Sequence, residues 1–140
     1  MINHIWTILC SRSIVDQETQ NISLLDVLEQ VTIPYQLFSQ GKGLVLPINF
    51  EVVTFWGRQH PKMAHQGTAR LLLQSPSGQI LNEHQYLVDL SQYERTRTRA
   101  RVSSLMIHEP GRHIFIVEFK KNEREWTRVA EVPLQVTLAP

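Results

Sequence analysis

The stretch Gly111–Phe119, Gly-Arg-His-Ile-Phe-Ile-Val-Glu-Phe, alternates with a period of two and keeps apolar side chains on both faces. His113, Phe115, Val117 and Phe119 share one face, and Ile114 and Ile116 occupy the other. A strand with one wet face shows a polar row on that side, so one that is apolar on both sides belongs in the middle of a sheet, covered above and below. Just before it, Glu109-Pro110-Gly111-Arg112 has Pro at the second turn position and Gly at the third, where a type II turn needs positive φ. His113 is the odd member of the inward row, because an imidazole in a core needs a hydrogen-bond partner.

The rest of the chain reads as strands added beside or beneath this one. His4–Cys10 is an internal first strand, with Trp6, Ile8 and Cys10 on one face and Ile5, Thr7 and Leu9 on the other. A polar connection at residues 16–21 leads into Ser23–Ile33. Leu24, Leu25, Leu28 and Val31 there fit helical spacing, whereas the β-branched Val27, Val31, Thr32 and Ile33 favour a strand, and strand is the reading adopted. Pro34 through Gly43 is a loop by its punctuation, with Phe38 tucked down as an anchor. Ile48–Trp56 alternates, with Phe50, Val52 and Trp56 inward and Asn49 and Glu51 facing water. After a polar loop, Ala69, Leu71 and Leu73 form the next inward row, and Ser75-Pro76-Ser77-Gly78 reverses the chain into Ile80–Leu90, where Tyr86, Val88 and Leu90 point in. A strand over Arg97–His108 precedes the central one. The last strand, Trp126–Leu138, carries Pro133, which lacks an N–H donor and assigns that portion to a sheet edge. About eight strands at short spacing, without a helix, predict an all-β protein: an antiparallel β-sandwich, with a barrel as the alternative closure.

At 140 residues the chain fits one domain, 1–140, and can bury roughly two-thirds of its unfolded surface without a metal or disulfide. Its 14 basic residues nearly balance 13 acidic ones, so a polyanion partner has to be argued from local clustering. The lone cysteine, Cys10, cannot form an internal disulfide. Together with the lack of a signal-peptide core or a run long enough for a membrane helix, that predicts a cytoplasmic protein that does not enter a membrane.

Three features together resemble a family of small uncharacterised bacterial proteins built on an immunoglobulin-like or C2-like β-sandwich. They are the Trp6–Cys10 strand with its Asp16 loop and Ser23-Leu24-Leu25-Asp26-Val27, the Pro76-Ser77-Gly78 turn, and Pro110-Gly111 followed by alternating aromatic and aliphatic residues. The likeness spans nearly the whole chain and rests on turn and core residues. It implies the fold and no active-site residues. His113 departs from it, standing where an aromatic residue is expected.

Chemistry-bearing constellations are sparse. His60 and His65 lie near each other, but Pro61 stiffens the chain between them and no carboxylate or cysteine sits alongside, so no metal site is assigned. Asp16, Glu18, Asp26 and Glu29 lack the second aspartate-rich loop a C2-type calcium site needs. Phosphate loops, nucleophile elbows and Cys/His pairs at recognisable spacing are missing, so no catalytic residue or cofactor is assigned and the chain does not read as an enzyme. The one cluster that stands out is Arg95, Arg97, Arg99 and Arg101. In a strand that spacing puts all four guanidinium groups in a row on one face, about 6.5–7 Å apart. Such a row binds phosphates or a partner's carboxylates, or guards an exposed strand against pairing across molecules, with Glu94 nearby to neutralise part of it. The resulting expectation is a non-catalytic protein-interaction or structural module, whose partner is another protein or a second copy of the chain. The alternative is polyanion or nucleic-acid binding through Arg95–Arg101.

Overall fold

The computed structural model describes residues 2–38 and 43–140. Strands β1 (Ile2–Val15) and β2 (Ile22–Val27) form a long hairpin, followed by β3 (Gln30–Pro34) and a single helical turn, α1 (Tyr35–Phe38). The chain continues through β4 (Leu44–Leu46), β5 (Phe50–Arg58), β6 (His65–Gln74), β7 (Ile80–Leu90), β8 (Arg95–Val102), β9 (Leu105–Ile107), β10 (Gly111–Asn122) and β11 (Glu125–Ala139). One sheet has the order β2-β1-β5-β8, a second β3-β11-β10-β6-β7, and β4 pairs with β9 in a small ribbon. The two larger sheets pack face to face as a sandwich, and the apolar core lies between them. The expected all-β sandwich is therefore the fold, with eleven strands among the described residues rather than about eight.

The central strand of the sequence is the central strand of the structure. β10 is third of the five strands in its sheet, antiparallel to β6 and β11 on either side. Phe115, Val117 and Phe119 enter the core with Trp56 and Phe50. The Phe50 and Phe115 rings meet edge to face at 5.7 Å, and the Trp56 and Phe119 rings lie 6.1 Å apart. On the opposite face Ile116 is also fully buried. Register places Glu118 opposite both Arg70 and Arg128. Arg70 Nε donates to Glu118 Oε1 at 2.7 Å, its Nη1 donates to Glu83 at 3.1 Å, and its guanidinium lies 4.2 Å from the centre of the Trp126 ring. At the head of β10, Gly111 has φ +124°, as its turn requires, and Glu109 accepts a hydrogen bond from Ser77 N at 2.8 Å, tying this turn to the one at residues 75–78.

The ambiguous segment 23–33 is strand, but it is two strands in two sheets. β2 continues the hairpin; Asp26 then takes φ +54°, Leu28 N bonds the Leu9 carbonyl at 2.8 Å, and the chain crosses so that β3 pairs with β11. That pairing is parallel, a departure from the purely antiparallel expectation. The helical spacing of Leu28 and Val31 arises at the crossover, where both side chains turn into the core.

Several finer expectations need correction. Tyr35–Phe38 is a helical turn rather than loop, although Phe38 does pack on the core; residues 39–42 of that loop lie outside the described residues. The strand expected over 97–108 breaks at Ser103-Ser104 and continues as β9 beside β4. Glu51 does not face water: it is only 7% exposed, and its neighbour Val53 is fully buried. β11 is not an edge strand as a whole, since β3 flanks it from Gln135 onward; Pro133 precedes that pairing, so its portion of β11 is free of β3.

Candidate functional site

All four arginines lie on β8, the outermost strand of the four-stranded sheet. Antiparallel register sets Arg95, Arg97, Arg99 and Arg101 opposite Gly57, Phe55, Val53 and Glu51, so the row shares the outer face of the sheet, as the spacing predicts. Thr96, Thr98, Ala100 and Val102 alternate with them toward the interior.

The β1–β2 hairpin covers much of that outer face. Through β5, Cys10 aligns with Arg101 and His4 with Thr96, so a straight hairpin would run away past Arg101. Instead Arg99 Nη1 donates to Ser13 Oγ at 3.3 Å and Arg97 Nη2 donates to the Gln20 carbonyl at 2.9 Å. The hairpin therefore curls back along the arginine row. Its tip is a tight turn organised by the exposed Asp16, whose carboxylate accepts from Glu18 N and Thr19 N at 2.9 Å and is held below the usual carboxylate range by those bonds. Beneath the curl Cys10 is fully buried, and burial and the Glu51 carboxylate push its thiol pKa up. An un-ionised thiol in such a place is a packing group.

Among the described residues the carboxylate within ion-pair distance of the row is that of Glu51. Arg101 Nε lies 4.0 Å from Glu51 Oε1, Glu51 Oε2 is buried without a partner, and the Arg101 side chain is 85% exposed. Arg95 has no hydrogen bond or ion pair among the described residues. The row thus divides into two arginines engaged by the hairpin and two whose charge is available at the ends.

The other face of β8 meets a cleft. Where β7 and β8 form the outer strands of the two sheets, three adjoining cavities of about 230, 160 and 380 Å³ open between them, with Leu71 and His84 common to all three. Leu71, Leu73 and Phe115 supply an apolar floor. At one end the interior is lined with hydroxyls. Trp56 Nε1 donates to Thr98 Oγ1 at 3.0 Å, Thr54 and Thr7 are bonded at 3.1 Å, and His4 Nε2 lies 2.8 Å from Thr7 Oγ1. Burial raises the pKa of Tyr86, opposed by the neighbouring hydroxyls of Thr98 and Thr54. His84 and Tyr86 stack with ring centres 6.1 Å apart along the β7 wall. The sequence reading passed over this cleft. Its signal was present: the inward parity of β7 continues from Val88 and Tyr86 to the polar His84 and Asn82, where a closed sandwich would have aliphatics.

His60 sits in an exposed loop, His65 packs its ring against Phe119, and no group of three or more potential metal ligands converges among the described residues. No helix among the described residues is long and apolar enough to cross a membrane.

The arrangement of strands has a counterpart among solved structures. The chain is similar to the C-terminal domain of Wzt. The two superpose with a TM-score of 0.53 over 99% of this chain and 75% of that one, at 9% identity, a likeness of fold alone. No protein-family model matches the sequence, and no curated protein matches it.

Proposed function

We propose that the domain is a non-catalytic interaction module of a bacterial cytoplasm, presenting strand β8 to another protein. The observation that carries this reading is the placement of the arginine row on a free sheet edge beside an open cleft. An edge strand offers unpaired backbone N–H and C=O groups, the cleft offers apolar surface, and the arginines offer charge, all on one flank. A lone, buried and un-ionised Cys10 suits a reducing compartment. The alternative, polyanion binding through Arg95, Arg97, Arg99 and Arg101, is weakened because Arg97 and Arg99 already serve the hairpin and the net charge is only +1.

Site-specific photocrosslinking in the native cell tests the reading. A photoreactive residue in place of Thr96 or Arg101 should give adducts that proteinase destroys and nuclease does not, and one in place of the exposed Thr32 on β3, the edge of the other sheet farthest from β7, should give none. Nuclease-sensitive adducts would transfer the function to the polyanion reading. Adducts at Thr32 alone would remove β8 from it.

A further inference from the structure

We infer that β8 takes up an extended acidic segment of the partner as an added strand, with that segment's alternate apolar side chains lying in the cleft. The inference rests on the reading of β8 as the interaction surface and specifies what it recognises. An added strand lies about 4.8 Å from its neighbour and its side chains alternate between the same two faces. Beside β8, one parity would stand next to Arg95, Arg97, Arg99 and Arg101, and the other next to Thr98, Ala100 and Val102 at the mouth of the cavities above Leu71, Leu73 and Phe115. Acidic residues at the first parity and aliphatic ones at the second complement both faces at once, because chemistry on β8 itself has a period of two.

The surroundings discriminate between occupants. A second copy pairing β8 to β8 would set arginine against arginine across the new seam, a repulsive arrangement. On the opposite wall of the cleft, the outward row of β7 includes Glu83 and Asp89, so an acidic strand is disfavoured there and favoured on β8. A nucleic acid would satisfy the arginines but has no period-two apolar side chains to place over Leu71 and Phe115.

The test uses three fluorescently labelled synthetic peptides against the full chain, followed by anisotropy. They are acetyl-EVELEVE-amide, its lysine counterpart acetyl-KVKLKVK-amide, and acetyl-EVEPEVE-amide, whose central proline interrupts a strand. The first should bind at least about tenfold more tightly than either of the others and perturb the backbone amide resonances of β8. Charge reversal at the two ends of the row, Arg95→Glu with Arg101→Glu, leaves the hairpin contacts of Arg97 and Arg99 in place and the row without net charge; it should remove the preference for the acidic over the basic peptide, while unchanged amide resonances of β10 show that the chain still folds. Equal affinity for the acidic and basic peptides, retention of the acidic preference after charge reversal, or no binding up to about 1 mM would overturn the inference. So would a single-stranded RNA oligonucleotide that binds the row more tightly than the acidic peptide, or self-association through β8. If protein crosslinks form at Thr96 and Arg101 while all three peptides fail, β8 remains the interaction surface and strand addition is what falls.

Discussion

The two sheets use arginine on their outer faces in opposite ways. On the five-stranded sheet Arg70 and Arg128 stand opposite Glu118, in an ion-pair network running from Glu83 to Glu131. On the four-stranded sheet Arg95, Arg97 and Arg99 stand opposite Gly57, Phe55 and Val53, and among the described residues the row's one ion pair is that of Arg101 with Glu51, at 4.0 Å. The residue type is the same; the register differs. Where a strand supplies the counter-charge directly across the ladder, arginine becomes part of the structure, and where it does not, the charge is left to the hairpin, to water or to a partner.

The largest effect should come from breaking the first arrangement. Glu118 is 8% exposed, hydrogen-bonded to Arg70 and ion-paired with Arg128, so Glu118→Ala strands the partly buried Arg70 guanidinium without its main acceptor. A loss of about 2–4 kcal/mol in urea unfolding is expected. A loss under about 0.5 kcal/mol would mean that the network is surface decoration and that the two sheets do not differ in kind.

Next comes the turn that starts β10 in the same sheet. A Cβ at Gly111 would need φ +124° and would meet Pro76 Cγ at 3.1 Å. Gly111→Val should therefore cost more than about 1 kcal/mol, and an unchanged denaturation midpoint would show the turn to be more adaptable than its dihedral implies.

The second arrangement should respond differently. Arg97→Gln with Arg99→Gln removes exposed contacts to Gln20 and Ser13, so global stability should change by less than about 1 kcal/mol. Its effect is local. Hydrogen exchange across residues 11–27 and alkylation of Cys10 should both accelerate as the curled hairpin loosens. If the row also guards the edge, the same variant should self-associate more readily, as sedimentation would show. Unfolding as severe as that of Glu118→Ala would make these arginines structural and erase the contrast.

The contrast also marks how far the sequence could be read. Period-two patterning disclosed the central strand, the inward rows and the common face of the four arginines, because each depends on residues a few positions apart. The pairing of Glu118 with Arg70 and the parallel β3–β11 ladder join residues 48 and 105 positions apart, the burial of Glu51 depends on the distant strand β1, and local spacing holds no record of them. The hairpin curl was hidden for the same reason. Leu28 and Glu29 look like one more step of a strand, and only the carbonyl of Leu9 and the amide of Gln135, supplied by two different sheets, turn that step into a crossing. The cleft lay between these cases, written in the polar Asn82 and His84 on an otherwise inward parity.

The smallest expected effect separates the two sheets by pH. His113 is fully buried on the inner face of β10, with Nδ1 3.3 Å from the Gly111 carbonyl and Nε2 without a partner. Burial holds its pKa below the ordinary 6.5, outweighing the Gly111 carbonyl and the Glu109 charge, which act the other way. The folded chain then resists a proton that the unfolded chain accepts, so the contribution of His113 to stability is complete above about pH 6.5 and shrinks as pH falls through that value toward its folded pKa. His4, on the four-stranded sheet, is also lowered by burial and shifts stability in the same direction, although its Nε2 has the Thr7 hydroxyl at 2.8 Å. His113→Phe places there the aromatic side chain that the family resemblance implies and leaves nothing to protonate. Urea midpoints measured from about pH 8 down to about pH 5 should fall less steeply for His113→Phe than for the wild type, keeping only the slope due to His4 and the remaining groups. An identical slope in both proteins would mean that His113 takes its proton in the folded state, and hence that the inner face of β10 is open to water at that point and the sheet less closed than its outer network suggests.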